Sequence, residues 1–159
     1  ALAIMRNLVV FALVTASACG TDVPPEPALW PADYASTYTE VRNCRPSVEH
    51  GTVNIRVLAS PDALTPYTGR MAPFPTDAIL LKEEYAEADD TCAGPIKHWT
   101  VMQKLADDSS PSTIDWHWQK TDAKRNVTMS NDETCIACHS MCLPPPDGTG
   151  GYLPTCTEP

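Results

Sequence analysis

Residues 74–85 read Phe-Pro-Thr-Asp-Ala-Ile-Leu-Leu-Lys-Glu-Glu-Tyr, and this stretch indicates how the domain is built. Its first four residues predict a turn, because Pro and Asp favour turn conformations. The segment that follows fits a strand or a helix, and the preceding turn and the neighbouring predicted strands favour a strand. In a strand, Lys82 shares a face with Leu80 and Glu84, whereas Glu83 lies on the opposite face.

Three further segments predict strands because they are rich in β-branched and aromatic residues. They are residues 52–59, 98–105 and 114–120. Short helices are predicted over residues 34–42 and, for about one turn, residues 61–67. The 16 prolines argue against a long helical bundle. The predicted fold is therefore α+β: mainly an antiparallel β-sheet with flanking short helices and a C-terminal C-x-x-C-H segment.

Composition restricts the class of function. The chain has 159 residues and a formal net charge of −9, and its length fits one domain. The acidic balance argues against a nucleic-acid partner, which needs a basic surface. Hydrophobic residues make up 43% of the chain and charged residues 19%, which predicts a folded protein and not a disordered one.

The N-terminal segment predicts export. Arg6 precedes an apolar run at residues 8–14, and small residues follow it up to Cys19, which is the three-part layout of a secretory signal. The apolar run is too short to span a bilayer. The expected organisation is a signal peptide at residues 1–18, a tether at 19–31 and the main domain at 32–159.

Cys19 stands where a bacterial lipoprotein carries its lipidated cysteine. The surrounding residues resemble a lipobox, although Ala16 replaces the usual Leu, and the alternative is ordinary signal-peptide cleavage with Cys19 unpaired. Gly20 follows Cys19 where Asp would favour the inner membrane. We therefore expect a periplasmic protein that contacts the outer membrane only through a lipid anchor.

The other cysteines outside the C-x-x-C-H segment predict disulfides, since an exported chain lies in an oxidising compartment. They are Cys44, Cys92, Cys142 and Cys156, and four cysteines allow three pairings. We favour Cys44–Cys92 and Cys142–Cys156, because the second pair closes a short tail rich in Pro and Gly.

Cys135, Cys138 and His139 form the C-x-x-C-H motif, the attachment signature of a c-type haem. Two thiols on one helical turn can form thioethers with the two vinyl groups of a porphyrin, and His139 then supplies an imidazole to the iron. The alternatives are a zinc half-site, a redox-active dithiol and a chance match. A zinc site would require a second pair of ligands. A thioredoxin-like dithiol would require a βαβ unit around it. We expect one covalently bound haem c, with its iron, per chain.

A second axial ligand would have to come from upstream of the motif, because Met141 is too close to His139 to reach the opposite haem face. The candidates are Met71, Met102, Met129, His50, His98 and His117. Each is more simply a core or surface residue. We therefore expect a five-coordinate iron with an open distal site.

Four blocks in chain order resemble a known family. They are residues 54–57, 74–83, 99–104, and 115–118 followed by 135–139. Over residues 34–142 the chain resembles the cytochrome P-460 family, which includes the cytochromes c-prime beta. The resemblance implies an antiparallel sheet with flanking helices, a possible homodimer and a pentacoordinate haem. Cytochromes P-460 oxidise hydroxylamine, whereas the beta cytochromes c-prime bind small gases such as nitric oxide.

The resemblance also implies roles for two residues. Lys82 matches the lysine that crosslinks to haem in the cytochromes P-460, and Arg56 matches the distal arginine. Burial would lower the pKa of Lys82 and favour its neutral, nucleophilic form. The simpler alternatives are a solvent-facing Lys82 paired with Glu84 or Glu87 and a surface ion pair for Arg56.

The chain departs from the family pattern in one respect. Residues 98–106 contain no acid, although the oxidising members of the family carry a distal carboxylate at this place. His117 and Glu84 are the candidate proton acceptors that could replace it. The favoured function is a haem-dependent oxidoreductase that acts on hydroxylamine or a related nitrogen oxide and passes electrons to an external acceptor. The alternatives are a non-catalytic NO-binding module, a simple electron carrier and a non-haem, disulfide-rich binding protein.

Overall fold

The structure is a computed structural model that describes residues 25–51, 53–69 and 73–141 and residue 155. The expected signal peptide, the lipidation site Cys19 and the expected Cys142–Cys156 disulfide lie outside these residues. Within the described part, no helix is both long enough and apolar enough to cross a membrane.

Six strands form one antiparallel sheet in which each strand pairs with the next along the chain. The strands are β1 (Thr39–Ser47), β2 (Val53–Ala59), β3 (Ile79–Tyr85), β4 (His98–Lys104), β5 (Trp116–Asp122) and β6 (Val127–Ser130). The α-helices are α1 (Tyr34–Thr37), α2 (Pro61–Gly69) and α3 (Glu133–His139), and 3-10 turns occupy Val48–His50 and Pro111–Thr113. The prediction of an α+β, mainly antiparallel fold is confirmed.

The predicted helix over residues 34–42 is wrong beyond Thr37. The chain leaves α1 at Tyr38 in an extended conformation and enters β1 at Thr39. Thr37, Thr39 and Val41 are β-branched, which disfavours a helix and favours a strand. This correction places Arg42 in the sheet.

The sheet separates two hydrophobic clusters because successive side chains on each strand point to opposite faces. One cluster includes Ile55, Val57 and Leu80 with Trp116 and Trp118. The face that carries it is called the cavity face below. The second cluster covers the opposite face and consists of Trp30, Tyr34, Leu58, Ile79, Leu81, Trp99 and Val101.

The register of the strands places five residues in a row across the cavity face. Arg42 lies opposite Val57, Val57 opposite Lys82, Lys82 opposite Thr100, and Thr100 opposite Lys120. Residues directly opposite each other in an antiparallel pair have their side chains on the same face. The row therefore brings three basic side chains from β1, β3 and β5 to one side of the sheet.

A disulfide joins Cys44 on β1 to Cys92 in the loop between β3 and β4. The two residues are separated by 48 positions, and their Cα atoms are 5.6 Å apart. This is one of the pairs favoured from the sequence.

Replacing both Cys44 and Cys92 by serine is expected to lower the free energy of unfolding by about 2–4 kcal/mol, because the crosslink restricts the unfolded chain. Urea denaturation under oxidising conditions measures the loss. Under reducing conditions the parent protein loses the disulfide as well, so that both proteins should unfold at the same urea concentration. Equal stability in oxidising buffer would contradict the prediction.

Candidate functional site

A cavity of about 530 Å³ lies against the cavity face and is lined by strand residues and by α3. Its apolar wall comes from side chains of β2 to β5, namely Ile55, Val57, Leu80, Met102 and Trp118. These residues alternate with the side chains of the opposite face, as the period-two pattern of a strand requires. The cavity is large enough for a planar organic group.

Two neighbouring residues fix α3 over this cavity. Asn131 accepts a hydrogen bond from the backbone N–H of Trp118 at 3.0 Å, and its own N–H donates to the Trp118 carbonyl at 2.8 Å. Asp132 caps the helix by accepting from the Thr134 N–H at 2.9 Å. Asn131 has a positive φ of 47°, a conformation that asparagine tolerates better than most residues. These bonds tie the start of α3 to β5.

The structure brings together all three residues of the C-x-x-C-H motif at the cavity. Cys135, Cys138 and His139 lie on one turn of α3 and all line the cavity. The two cysteines are free thiols. The His139 ring packs edge-on against Trp118, with ring centroids 4.8 Å apart. Burial, with a further contribution from Asp132, raises the pKa of the Cys135 thiol.

The polar part of the cavity is basic although the chain is acidic overall. Arg42, Lys82 and Lys120 line it, and among the residues that the structure describes Asp132 supplies its one carboxylate. The Nε atom of Arg42 is buried and has no hydrogen-bond partner in the described part of the chain. A buried donor without an acceptor is costly, so this wall of the cavity suits an anionic group.

Lys82 makes a specific contact inside the cavity. Its Nζ lies 2.8 Å from His50 Nε2, and His50 Nδ1 lies 2.8 Å from Ser47 Oγ. Burial lowers the pKa of Lys82 from 10.5 to about 8, and Glu84 partly opposes this shift. Burial and the nearby Lys82 lower the pKa of His50 from 6.5 to about 3. His50 is therefore neutral at physiological pH and can accept a hydrogen bond from Lys82.

A comparison with protein families gives a match over most of the chain. The family model described as Cytochrome P460 matches residues 31–143, which include the whole sheet and the C-x-x-C-H motif. The chain belongs to the cytochrome P460 family. The resemblance noted from the sequence is thereby confirmed. No curated protein matches the chain.

Membership of the cytochrome P460 family implies a haem cofactor and its iron, and the cavity residues fit one. The cavity offers apolar walls for a porphyrin, two free thiols and an imidazole on one helical turn. The buried Arg42 Nε has no acceptor among the described residues. Haem carries two propionates, and either could supply that acceptor. The chemistry of the lining therefore agrees with the family assignment.

The structure places Lys82 in the cavity of this cytochrome and Arg56 outside it. Arg56 lies opposite Glu83 in the β2–β3 register, one position away from the row that contains Lys82. On that opposite face its Nε and Nη2 donate to Glu83 Oε2 at 2.7 and 2.6 Å. Because the sheet lies between them, Arg56 cannot contact a ligand in the cavity. Among the described residues, Arg42 is the arginine that lines the cavity, and nothing in the sequence indicated it.

Glu83 is the centre of a buried polar network on that opposite face. Its carboxylate accepts hydrogen bonds from Tyr34 and Tyr85, each at 2.7 Å, in addition to those from Arg56. Tyr34 accepts in turn from Trp99 Nε1 at 3.2 Å. Burial and Glu83 raise the pKa of Tyr34 to about 12 and raise that of Tyr85 as well.

The remaining candidate axial ligands and proton acceptors differ in whether they line the cavity. His50, Met102 and Met129 line the cavity. His117, with its Nε2 2.9 Å from Glu26, lies outside the cavity, and so does His98. Glu84 does not line the cavity either and is bound to Lys120 at 3.1 Å. Met71 lies outside the described residues.

Proposed function

We propose that this cytochrome holds one haem c covalently, through thioethers to Cys135 and Cys138, with His139 as an axial ligand. The proposal is supported by the position of all three side chains on one turn of α3 at the edge of the cavity. When bound, the haem supplies a redox-active iron that takes an axial imidazole and can bind a small molecule at its other axial position. Arg42 is the residue best placed for a propionate or another anionic group.

The second axial position is proposed to stay open. Three of the candidate ligands are described and line the cavity, and of these His50 has both ring nitrogens engaged by Lys82 and Ser47. Met102 belongs to the hydrophobic core and is 9% exposed, whereas Met129 is 38% exposed on β6, at the edge of the sheet. An open position leaves room for a small nitrogen compound.

The function that this site supports best is oxidation of hydroxylamine or a related small nitrogen oxide, with electrons passed to an external acceptor. The contact between Lys82 and neutral His50 carries this proposal, because it places a buried amine of lowered pKa beside a hydrogen-bond acceptor in the same cavity as the C-x-x-C-H motif. Oxidation of an N–H compound releases protons, and such a pair can receive them. Lys82 is also the residue proposed to crosslink to the haem.

A second function, binding of nitric oxide without turnover, is favoured by a different observation. β4 contributes Thr100, Val101 and Met102 to the cavity and no carboxylate. A site without a distal acid has less capacity to move protons and would still bind a neutral gas. Simple electron transfer is a third possibility, and it requires a six-coordinate iron.

The proposal also covers where the protein is located and how it assembles. An exported, lipid-anchored protein in the periplasm agrees with c-type haem attachment, which takes place outside the cytoplasm. Homodimer formation is proposed from family membership alone.

Absorption spectra of the purified cytochrome test the role of Lys82. A crosslink is expected to shift the ferrous Soret band to the red, and Lys82→Met should return the band to the ordinary c-type position. Hydroxylamine turnover with an artificial electron acceptor should fall by about 100-fold in the same variant, the scale of a lost proton-transfer group.

Lys120→Met is the matched control for the spectrum, because Lys120 lies in the same row across the sheet but on a different strand. It should leave the red shift in place. A parent protein that binds nitric oxide but neither shifts its band nor turns over hydroxylamine would favour the gas-binding function. A low-spin, six-coordinate spectrum would favour electron transfer.

A further inference from the structure

We propose that His50 and Ser47 form a proton relay that connects the main cavity, at Lys82, with a second, acidic cavity at the protein surface. The inference rests on the proposed function, since protons leave a substrate only if the cavity holds one that is oxidised. The relay replaces the distal carboxylate that β4 lacks. Its residues lie at the end of β1 and in the 3-10 turn that follows.

The first part of the relay is the contact chain inside the main cavity. Lys82 Nζ lies 2.8 Å from His50 Nε2, and His50 Nδ1 lies 2.8 Å from Ser47 Oγ. Both distances are those of good hydrogen bonds. If Lys82 donates to Nε2, the neutral ring carries its proton on Nδ1 and donates to Ser47, so that all donors point from the cavity towards Ser47.

The local backbone holds His50 in this position. β1 ends at Ser47, and a 3-10 turn over Val48–His50 carries the His50 ring back beside the sheet. Gly51 closes the turn with a φ of 87°, a left-handed conformation that is strained for most other residues. Ser47 then fixes the ring plane through its hydroxyl.

The second part of the relay is a smaller cavity that Ser47 also lines. Its volume is about 240 Å³, and Ser47 lines both this cavity and the main one. Glu87 and Asp90 also line the smaller cavity, and both are exposed to solvent. Their carboxylates give it the negative charge that attracts a proton, whereas the main cavity is basic.

The charges around His50 decide how the proton moves. Burial is the largest cause that lowers the pKa of His50 to about 3, and the charges of Lys82, His139, Lys120 and Arg42 act in the same direction. A free imidazolium would be unfavourable among these cations, and the proposed transfer is concerted. The Lys82 nitrogen, free or crosslinked, takes a proton from the cavity and gives one to Nε2, while the Nδ1 proton passes to Ser47 and the serine proton to water or a carboxylate. Each transfer breaks one N–H or O–H bond and forms one, and no electron moves.

The relay is tested on the full-length cytochrome with its haem attached, by ¹⁵N NMR of the histidine rings. The sample is the reduced, low-spin form, prepared with carbon monoxide or without it if the iron is already six-coordinate. His50 is expected to be neutral from pH 5 to 8 with its proton on Nδ1. Exchange of that proton with water should slow at least tenfold in Ser47→Ala. A ring protonated on Nε2, charged at pH 6 or bound to iron overturns the proposal, as does an unchanged exchange rate.

Kinetics give a second, separate readout. His50→Gln and Ser47→Ala are expected to lower kcat for hydroxylamine by about tenfold or more, with KM unchanged and a larger solvent isotope effect. His117→Gln is the control, because His117 lies outside the cavity and contacts Glu26. Equal kcat in all four proteins overturns the relay. A parent protein without turnover overturns the proposed function instead, and the exchange rate in Ser47→Ala then decides for or against the relay.

Discussion

Replacing Cys135 and Cys138 together by alanine is expected to abolish covalent haem binding completely. Both thiols are free and lie on one turn of α3 at the cavity, which is the arrangement that the proposed thioethers require. Without them no thioether forms, and the haem is extracted when the chain unfolds. Haem staining after denaturing electrophoresis, with the mass of the intact chain, measures the loss.

The matched control is the double replacement of Cys44 and Cys92 in the same chain. This pair forms a disulfide on β1 and the loop after β3, and it contributes to stability but supplies no thioether. Its removal should leave the haem mass on the chain. A coloured band in the Cys135→Ala/Cys138→Ala protein would contradict covalent attachment through this motif.

Much of the sheet could be predicted because alternation along a strand is a local property. β2, β4 and β5 begin and end within one or two residues of the predicted strands, and Val53, Ile55 and Val57 share one face as alternation requires. The same alternation explains the adjacent Lys82 and Glu83 on β3. One side chain enters the cavity, and its neighbour joins the polar network on the other side.

The edge strands could not be predicted, and with β1 a cavity residue was missed. β1 is largely exposed, contains Pro46 and is interrupted by register shifts on either side of Arg42, so its sequence shows no clean alternation. β6 has four residues and none of them is buried. Strands at a sheet edge tolerate Pro and bulges because one side needs no partner.

The partner of Lys82 was also missed, because it depends on a contact between residues 32 positions apart. A His followed by Gly after a predicted strand is consistent with a tight turn, but nothing in the sequence aims the ring of His50 at β3. The Arg56 assignment failed for a related reason. Alternation along β2 turns Arg56 away from Val57, and only the structure shows that Val57 lies on the cavity side.

Replacing Glu83 by alanine is expected to lower the free energy of unfolding by about 3–5 kcal/mol, the cost of breaking a buried ion pair by removing one partner. The side chain of Glu83 is 2% exposed, and it is the acceptor for Arg56, Tyr34 and Tyr85. Alanine would leave two tyrosine hydroxyls without this acceptor and Arg56 with the longer ion pair to Glu40, at 3.7 Å. Urea denaturation at pH 7, followed by circular dichroism, measures the change.

Three further variants separate the network from a general effect of truncation. Glu87→Ala removes an exposed acid that follows Glu83 by four residues. It should change the free energy of unfolding by less than about 0.5 kcal/mol. Arg56→Ala should cost less than Glu83→Ala, because Glu83 keeps two hydroxyl donors and the Arg56 side chain is 33% exposed. The double variant should be less destabilised than the sum of the two, since the residues contact each other. If Glu83→Ala and Glu87→Ala unfold at the same urea concentration, the network does not stabilise the face of the sheet behind the cavity.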